Sequence, residues 1–187
     1  DVLRKACKDA ASWPAHIDLA VNVSPVQLLD PRLPQTVAQT LADSGLSPSR
    51  LELEITETAL LNNDEAALRT LTQIRDLGVR ISLDDFGTGY SSLSYLHRFP
   101  ISRIKIDKSF VQKLPDDVGS ASIVRAIAQL GSSLSMKITA EGIETDSQLS
   151  FIKEHGCDEV QGFLTGRPIA LADFLVLTGH QAENVEA

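Results

Sequence analysis

The chain contains little cysteine and no long hydrophobic run. Its only cysteines, Cys7 and Cys157, lie far apart in 187 residues and form no motif, which excludes a fold built on disulfides and indicates reduced thiols. Four scattered histidines lack zinc-type spacing. No apolar segment reaches membrane-spanning length, and none resembles a signal peptide. We therefore expect a domain that is cytoplasmic, or on the cytoplasmic face of a membrane-anchored parent, and that itself makes no membrane contact.

Basic residues are also scarce. The net charge of −8 argues against a nucleic-acid polymer as partner, because such a partner requires a basic surface. A small anionic substrate is compatible with this charge if metal ions lie between it and the acids. The length fits one domain with a sizeable core. Because the chain begins at Asp1 within a helical pattern, we expect a piece of a longer polypeptide, with a domain at 1–180 and a disordered tail at 181–187.

Short strand-like runs alternate with longer amphipathic segments. The predicted strands are Ile17–Ser24, Leu51–Thr56, Arg80–Asp85, Arg103–Asp107, Lys137–Glu141 and Glu159–Phe163. Helices are predicted at the start of the chain and near 34–43, 64–76, 118–135, 145–155 and 171–178. This alternation is typical of parallel βα units, so a (β/α) barrel and an open doubly wound sheet are the two candidate folds.

One face of every predicted strand is apolar, and the opposite face carries a polar residue near the strand end. These six residues are Asn22, Glu54, Asp84, Lys105, Glu141 and Gln161. In a (β/α) barrel the carboxyl ends of the strands converge on one site, whereas an open sheet spreads them along a line. The pattern therefore favours an α/β fold of the TIM-like (β/α) barrel type.

Two adjacent carboxylates, Asp84 and Asp85, end the third predicted strand, and a loop rich in glycine and hydroxyl side chains follows directly. Neighbouring acids repel each other unless a cation lies between them. Paired aspartate oxygens suit hard cations such as Mg²⁺ or Mn²⁺. Two hydrated acids at a solvent-exposed strand end are the alternative interpretation. The loop lacks the third glycine of a dinucleotide-binding motif.

The motifs around these residues resemble the EAL domain family, the cyclic di-GMP phosphodiesterases of bacterial signalling. The matching segments are Asn22–Pro25, Glu54–Thr58, Asp84–Ser92, Lys105–Phe110, Ala140–Thr145, Gln161–Phe163 and Gly166–Pro168. Each is weak alone, but together they follow the family's order and cover nearly the whole chain. The resemblance implies a TIM-like barrel whose first strand runs antiparallel to the others.

The resemblance also implies a role for individual residues. Four correspond to the family's metal ligands: Asn22, Glu54, Asp84 and Asp85. Glu141 corresponds to the general base and Lys105 to the lysine that helps to order the attacking water. Gln161 corresponds to a residue that holds water or substrate. Glu57 corresponds to the glutamate that anchors the loop after the paired aspartates, a loop also implicated in dimerisation.

One departure from the family is large. The Glu-Ala-Leu motif and the phosphate-binding arginine that follows it are absent, and Glu65–Leu68 has an extra alanine and lies on a predicted helix. A barrel of this type typically has about 250 residues. We therefore expect roughly 60 further residues, with the first strand or strands, before Asp1.

The resemblance implies a phosphodiesterase that hydrolyses cyclic di-GMP to linear pGpG with two Mg²⁺ or Mn²⁺ ions, and a homodimer. A catalytically inactive receptor that binds cyclic di-GMP is one alternative. Such modules usually lose some metal-binding acids, and here every acid that can be checked is present. An aldolase that forms a Schiff base through Lys105 is the other alternative, but the nearby acids would keep this amine charged. We expect the chain alone to have little activity.

Overall fold

The computed structural model describes residues 1–61, 64–89 and 93–178. Its centre is one sheet of six parallel strands that lie in the order of the sequence. The strands are β1 (Leu19–Asn22), β2 (Leu51–Thr56), β3 (Arg80–Phe86), β4 (Arg103–Ile106), β5 (Lys137–Glu141) and β6 (Glu159–Gln161). The predicted α/β fold is confirmed, and two of the predicted strands have the predicted bounds.

Helices connect the strands and cover one face of the sheet. They are α1 (Val2–Ala11), α2 (Pro25–Leu28), α3 (Leu33–Ser44), α4 (Glu57–Leu61), α5 (Asp64–Asp76), α6 (Leu93–Arg98), α7 (Lys108–Val111), α8 (Val118–Ser133), α9 (Asp146–Glu154) and α10 (Leu171–Leu177), with a short 3₁₀ helix at Pro48–Arg50. The sequence did not predict α2, α4, α6 and α7. Each has four to six residues, which is too short for a helical period to stand out.

The sheet curls into half of a TIM-like barrel, with β1 and β6 at its two edges. Apolar side chains on the outer face pack beneath the helices, among them the buried Leu53, Ile55, Ile81 and Ile104. The inner face is polar. The same period of two residues therefore creates the core on one side of the sheet and a charged interior on the other.

Ion pairs line the inner face near the amino ends of the strands. The buried carboxylate of Glu52 lies 3.1 Å from Nε of Arg103, and the other end of this guanidinium contacts Glu159 and the Thr139 hydroxyl. Arg80, beside Glu52 in the register, pairs with Asp18 at 2.7 Å. Because buried charges are costly unless they are paired, these contacts allow charged residues on the inner face near the amino ends of the strands.

The arginine at position 50 fixes the entry into β1. Its guanidinium donates hydrogen bonds to the backbone oxygens of Ala10, Pro14 and Ile17, which lie between the end of α1 and the start of β1. Trp13, in the same segment, packs against the core and makes an edge contact with Phe174 of α10, with the ring centroids 4.9 Å apart. The segment that precedes Asn22 is therefore held by both polar and apolar contacts.

Some sequence predictions fall on residues outside the described ranges. They are the tail at 181–187 and the last hydroxyl residues, 90–92, of the loop after Asp85. Within the described part of the chain, no helix is both long enough and apolar enough to cross a lipid bilayer.

Candidate active site

Four adjacent strands bring three carboxylates around one ammonium group. Nζ of Lys105, on β4, lies 2.7 Å from Oε1 of Glu54, 2.7 Å from Oε1 of Glu141 and 3.2 Å from Oδ1 of Asp84. These acids come from β2, β5 and β3 respectively. The lysine side chain is buried, with 5% of its surface exposed. The arrangement is a compact charged cluster at the carboxyl ends of the strands.

The strand register places the two remaining polar residues at the ends of this cluster. Asn22 on β1 is the register partner of Glu54, and Gln161 on β6 is the register partner of Glu141. Both side chains are exposed. The six residues that the alternation pattern singles out thus form one arc across the inner face, with the ionic cluster in the middle and an amide at each end.

A β-bulge explains how two adjacent aspartates can serve one site. Successive side chains of a regular strand point to opposite faces, but the pairing of β3 with β4 shifts between Leu83 and Phe86. Asp85 has a φ of 55° there, in the left-handed region that non-glycine residues seldom adopt. Carboxylate oxygens of Asp84, Asp85 and Glu141 lie within 4.8 Å of one another. Such a donor set fits a hard divalent cation.

The protonation states follow from burial and pairing. Burial by itself lowers the pKa of Lys105, but hydrogen bonds with Glu141 and Glu54 outweigh it and raise the pKa above its usual value. The lysine is therefore an ammonium ion, which disfavours the aldolase alternative because Schiff-base formation requires a neutral amine. Burial raises the pKa of Glu141, and the contact with Lys105 offsets this only in part.

The structure adds Asp107 to the site, to which the sequence interpretation gave no role. Its carboxyl group interacts electrostatically with that of Asp85 and accepts a hydrogen bond of 2.9 Å from the backbone N–H of Ser109. Partial desolvation, together with the charges of Asp84 and Asp107, raises the pKa of Asp85. Although burial opposes it, the contact with Ser109 lowers the pKa of Asp107. Its spacing of two residues from Lys105 could have revealed it, since such residues share one face.

Glu57 lies directly behind the loop that follows the paired aspartates. It is the first residue of α4 and only 6% exposed. Its carboxylate lies against Gly89, where an added Cβ would be 2.8 Å from Oε1. Within the described ranges neither carboxylate oxygen has a hydrogen-bond partner. The loop itself folds back on Asp85, whose carbonyl accepts a hydrogen bond of 2.9 Å from the Thr88 hydroxyl.

The other side of this loop rests on α7. Gly87 has a φ of 96°, and a Cβ there would be 3.0 Å from the ring of Phe110. Phe110 is partly buried against the core. The described part of the loop, 87–89, is therefore held between an aromatic ring on one side and the Glu57 carboxylate on the other. The Glu57 carboxylate thus lies beside the loop without a hydrogen bond to it among the described residues, and its loop-anchoring role stays a prediction.

The sequence that comes nearest to Glu-Ala-Leu lies elsewhere. Glu65 belongs to α5, where its exposed carboxylate pairs with Arg98 of α6. It takes no part in the ionic cluster around Lys105. The structure thus agrees with the expectation that this glutamate does not serve the site.

Known proteins share both the sequence and the fold. The bifunctional diguanylate cyclase/cyclic di-GMP phosphodiesterase MucR of Pseudomonas aeruginosa is 44% identical over 178 residues, 93% of this chain and 26% of that protein. The cyclic di-GMP phosphodiesterase NbdA of the same organism is 42% identical over 175 residues, 91% of this chain and 22% of that protein. The solved MucR phosphodiesterase–c-di-GMP complex matches with a TM-score of 0.89 and 44% identity, over 93% of this chain and 72% of that one.

The chain spans about a fifth to a quarter of the length of the curated relatives it matches. The family model described as the EAL domain matches residues 2–168. This range includes every residue of the arc from Asn22 to Gln161, together with Glu57 and the bulge. The chain belongs to the EAL domain family.

Proposed function

We propose that this chain provides the metal-binding and catalytic residues of a phosphodiesterase that hydrolyses cyclic di-GMP to linear pGpG. The observation that carries the proposal is the convergence of Glu54, Asp84 and Glu141 on Lys105, with Asp85 beside them. Similar proteins named as cyclic di-GMP phosphodiesterases support the substrate. A structural role alone does not require three acids at one strand-end site.

We propose that two Mg²⁺ or Mn²⁺ ions are held by Asn22, Glu54, Asp84 and Asp85. The donor chemistry fits, because carboxylate and amide oxygens are the ligands that these hard cations prefer. The close approach of Asp84, Asp85 and Glu141 oxygens supports one such position directly. When bound, the ions would lower the pKa of a water molecule and stabilise negative charge on the phosphate oxygens.

In this proposal the remaining residues of the arc accept a proton or hold other groups in place. Glu141 accepts the proton of the attacking water, and its raised pKa brings it nearer to the working pH, where a general base is most effective. Lys105 remains charged and donates hydrogen bonds that orient Glu141 and Glu54. Gln161, exposed beside Glu141, offers an amide to water or substrate. Glu57 anchors the loop that carries Asp85.

We further propose a homodimer in the cytoplasm, or on the cytoplasmic face of a membrane-anchored parent. Large apolar side chains are exposed near the end of the described chain, for example Phe163, Ile169 and Val176, and exposed apolar surface favours association. Both cysteines are free, as is usual in reducing compartments.

Hydrolysis of cyclic di-GMP by the natural full-length protein tests the function, with pGpG separated by liquid chromatography after incubation with Mg²⁺ or Mn²⁺. Asp84→Asn removes an anionic ligand, and we expect turnover to fall by about 100-fold or more. Asp76→Asn, an exposed position at the end of α5, provides the control with the same chemical change and should leave turnover intact.

Two results would contradict the proposal. Turnover close to that of the unmodified protein in Asp84→Asn would remove this residue from the metal site. Tight binding of cyclic di-GMP by the unmodified protein without any pGpG would favour the receptor alternative.

A further inference from the structure

The Lys105 ammonium already occupies the charge centre of the proposed metal site. It contacts Oε1 of Glu54 and Oδ1 of Asp84 at 2.7 and 3.2 Å, and both residues are proposed ligands. Its third partner is Glu141, also at 2.7 Å. Among the described residues, no other basic side chain pairs with these three acids. One positive charge therefore faces three carboxylates, and negative charge is left in excess.

We propose that Lys105 is an internal counter-ion that competes with the divalent metal for Glu54 and Asp84, and that it thereby sets the metal affinity of the site. This inference rests on the proposed function, because it takes these two acids as ligands. It assigns Lys105 a second role besides orienting Glu141.

The competition follows from charge and from shared oxygen atoms. An ammonium and a divalent cation repel each other, and a lysine with 5% exposure is little screened by solvent, so that repulsion is strong. The oxygens that contact Nζ cannot at the same time direct the same lone pairs to a metal ion. Lysine has a flexible stem, so its ammonium can withdraw from Glu54 and Asp84 when metal binds and keep its contact with Glu141.

The direction in which metal affinity changes when Lys105 is replaced separates this role from a purely structural one. If Lys105 only holds the acids in place, its loss disorders the site and weakens metal binding. If it competes, its loss leaves three acids without their counter-ion and strengthens metal binding. Charge loss at a distant surface lysine reproduces the change in net charge without the local effect. Lys153, exposed in the last turn of α9, is such a position.

The test is calorimetric titration of the metal-stripped natural full-length protein with Mn²⁺ alone at about pH 8, where the carboxylates are largely ionised. We expect Lys105→Met to bind Mn²⁺ about tenfold more tightly than the unmodified protein. Lys153→Met should bind within about twofold of it, since surface charges are screened. Lys105→Arg keeps the charge and should bind no more tightly than the unmodified protein.

Equal or weaker binding by Lys105→Met, with an unchanged circular dichroism spectrum, overturns the inference. If that variant does not fold, the ¹⁵N signal of the Lys105 ammonium is followed in the unmodified protein during titration with Mg²⁺. We expect this signal to move while that of Lys153 does not, and an unmoved Lys105 signal overturns the inference. If no variant binds Mn²⁺, the result contradicts the proposed metal site instead. If hydrolysis is lost while Mn²⁺ binding is intact, the proposed function fails and this inference still stands.

Discussion

A single methyl group at Gly89 should disturb the metal site from a distance. A Cβ at this position would lie 2.8 Å from Oε1 and 3.1 Å from Cδ of Glu57, both well inside ordinary van der Waals contact. Glu57 is 6% exposed, so its carboxylate has little space to withdraw. We therefore expect the loop, rather than the buried Glu57 carboxylate, to move in Gly89→Ala, and with it Thr88, which hydrogen-bonds to the carbonyl of Asp85.

The size of the effect follows from these contacts. The loop must shift by several tenths of an ångström, and productive sites tolerate displacements of about 0.5 Å, while about 1 Å can cost 100-fold in rate. We expect both the Mn²⁺ affinity and the turnover of cyclic di-GMP to fall by about tenfold. The added methyl group lies on an exposed loop, so the melting temperature should change by no more than about 4 °C in a chain of this size.

Gly166→Ala is the matched control, because a Cβ at Gly166 meets no heavy atom within 4 Å. Mn²⁺ affinity is measured by calorimetry, turnover by chromatography of pGpG and stability by thermal melting. If Gly89→Ala and Gly166→Ala gave the same Mn²⁺ affinity, the loop held by Glu57 would not position Asp85. A large drop in melting temperature for Gly89→Ala alone would instead show that Glu57 and Gly89 stabilise the whole domain.

Two further outcomes follow from the protonation states. Glu141→Gln keeps a hydrogen-bond acceptor for Lys105 but removes the proton acceptor. We therefore expect kcat to fall by about 100-fold or more, with little change in cyclic di-GMP affinity. An equal loss of affinity would assign Glu141 to binding. Because the pKa of Asp85 is raised, a proton competes with Mn²⁺ for its carboxylate at a pH above the ordinary aspartate pKa. Calorimetry should therefore show Mn²⁺ affinity falling as the pH drops through that range. The metal-free chain should correspondingly lose stability as the pH rises through the raised pKa of Asp85, and both effects should diminish in Asp85→Asn.

The sequence determined the order of the elements and the candidate residues. Alternating polar and apolar side chains in Leu51–Thr56 and Lys137–Glu141 predicted two strands with the bounds observed. Gly45, which ends α3 with a φ of 72°, is a local signal of the same kind. These features depend on neighbours within a few positions, so a local pattern is sufficient to identify them.

The sequence also predicted that the polar strand ends would meet. Parallel strands in sequence order carry their carboxyl ends to one edge, and a curled sheet brings that edge together. Asn22, Glu54, Lys105, Glu141 and Gln161 accordingly lie in one arc. The family resemblance, rather than the pattern, assigned each of them a role.

Only the tertiary structure decided the contacts among these side chains. The bulge at Asp84 and Asp85 depends on the pairing of β3 with β4, and the electrostatic interaction between Asp85 and Asp107 joins two different strand ends. The three contacts of Lys105 come from three separate strands. Such interactions depend on distances between residues far apart in the chain, and a one-dimensional pattern specifies which face a side chain occupies but not what it touches across the sheet.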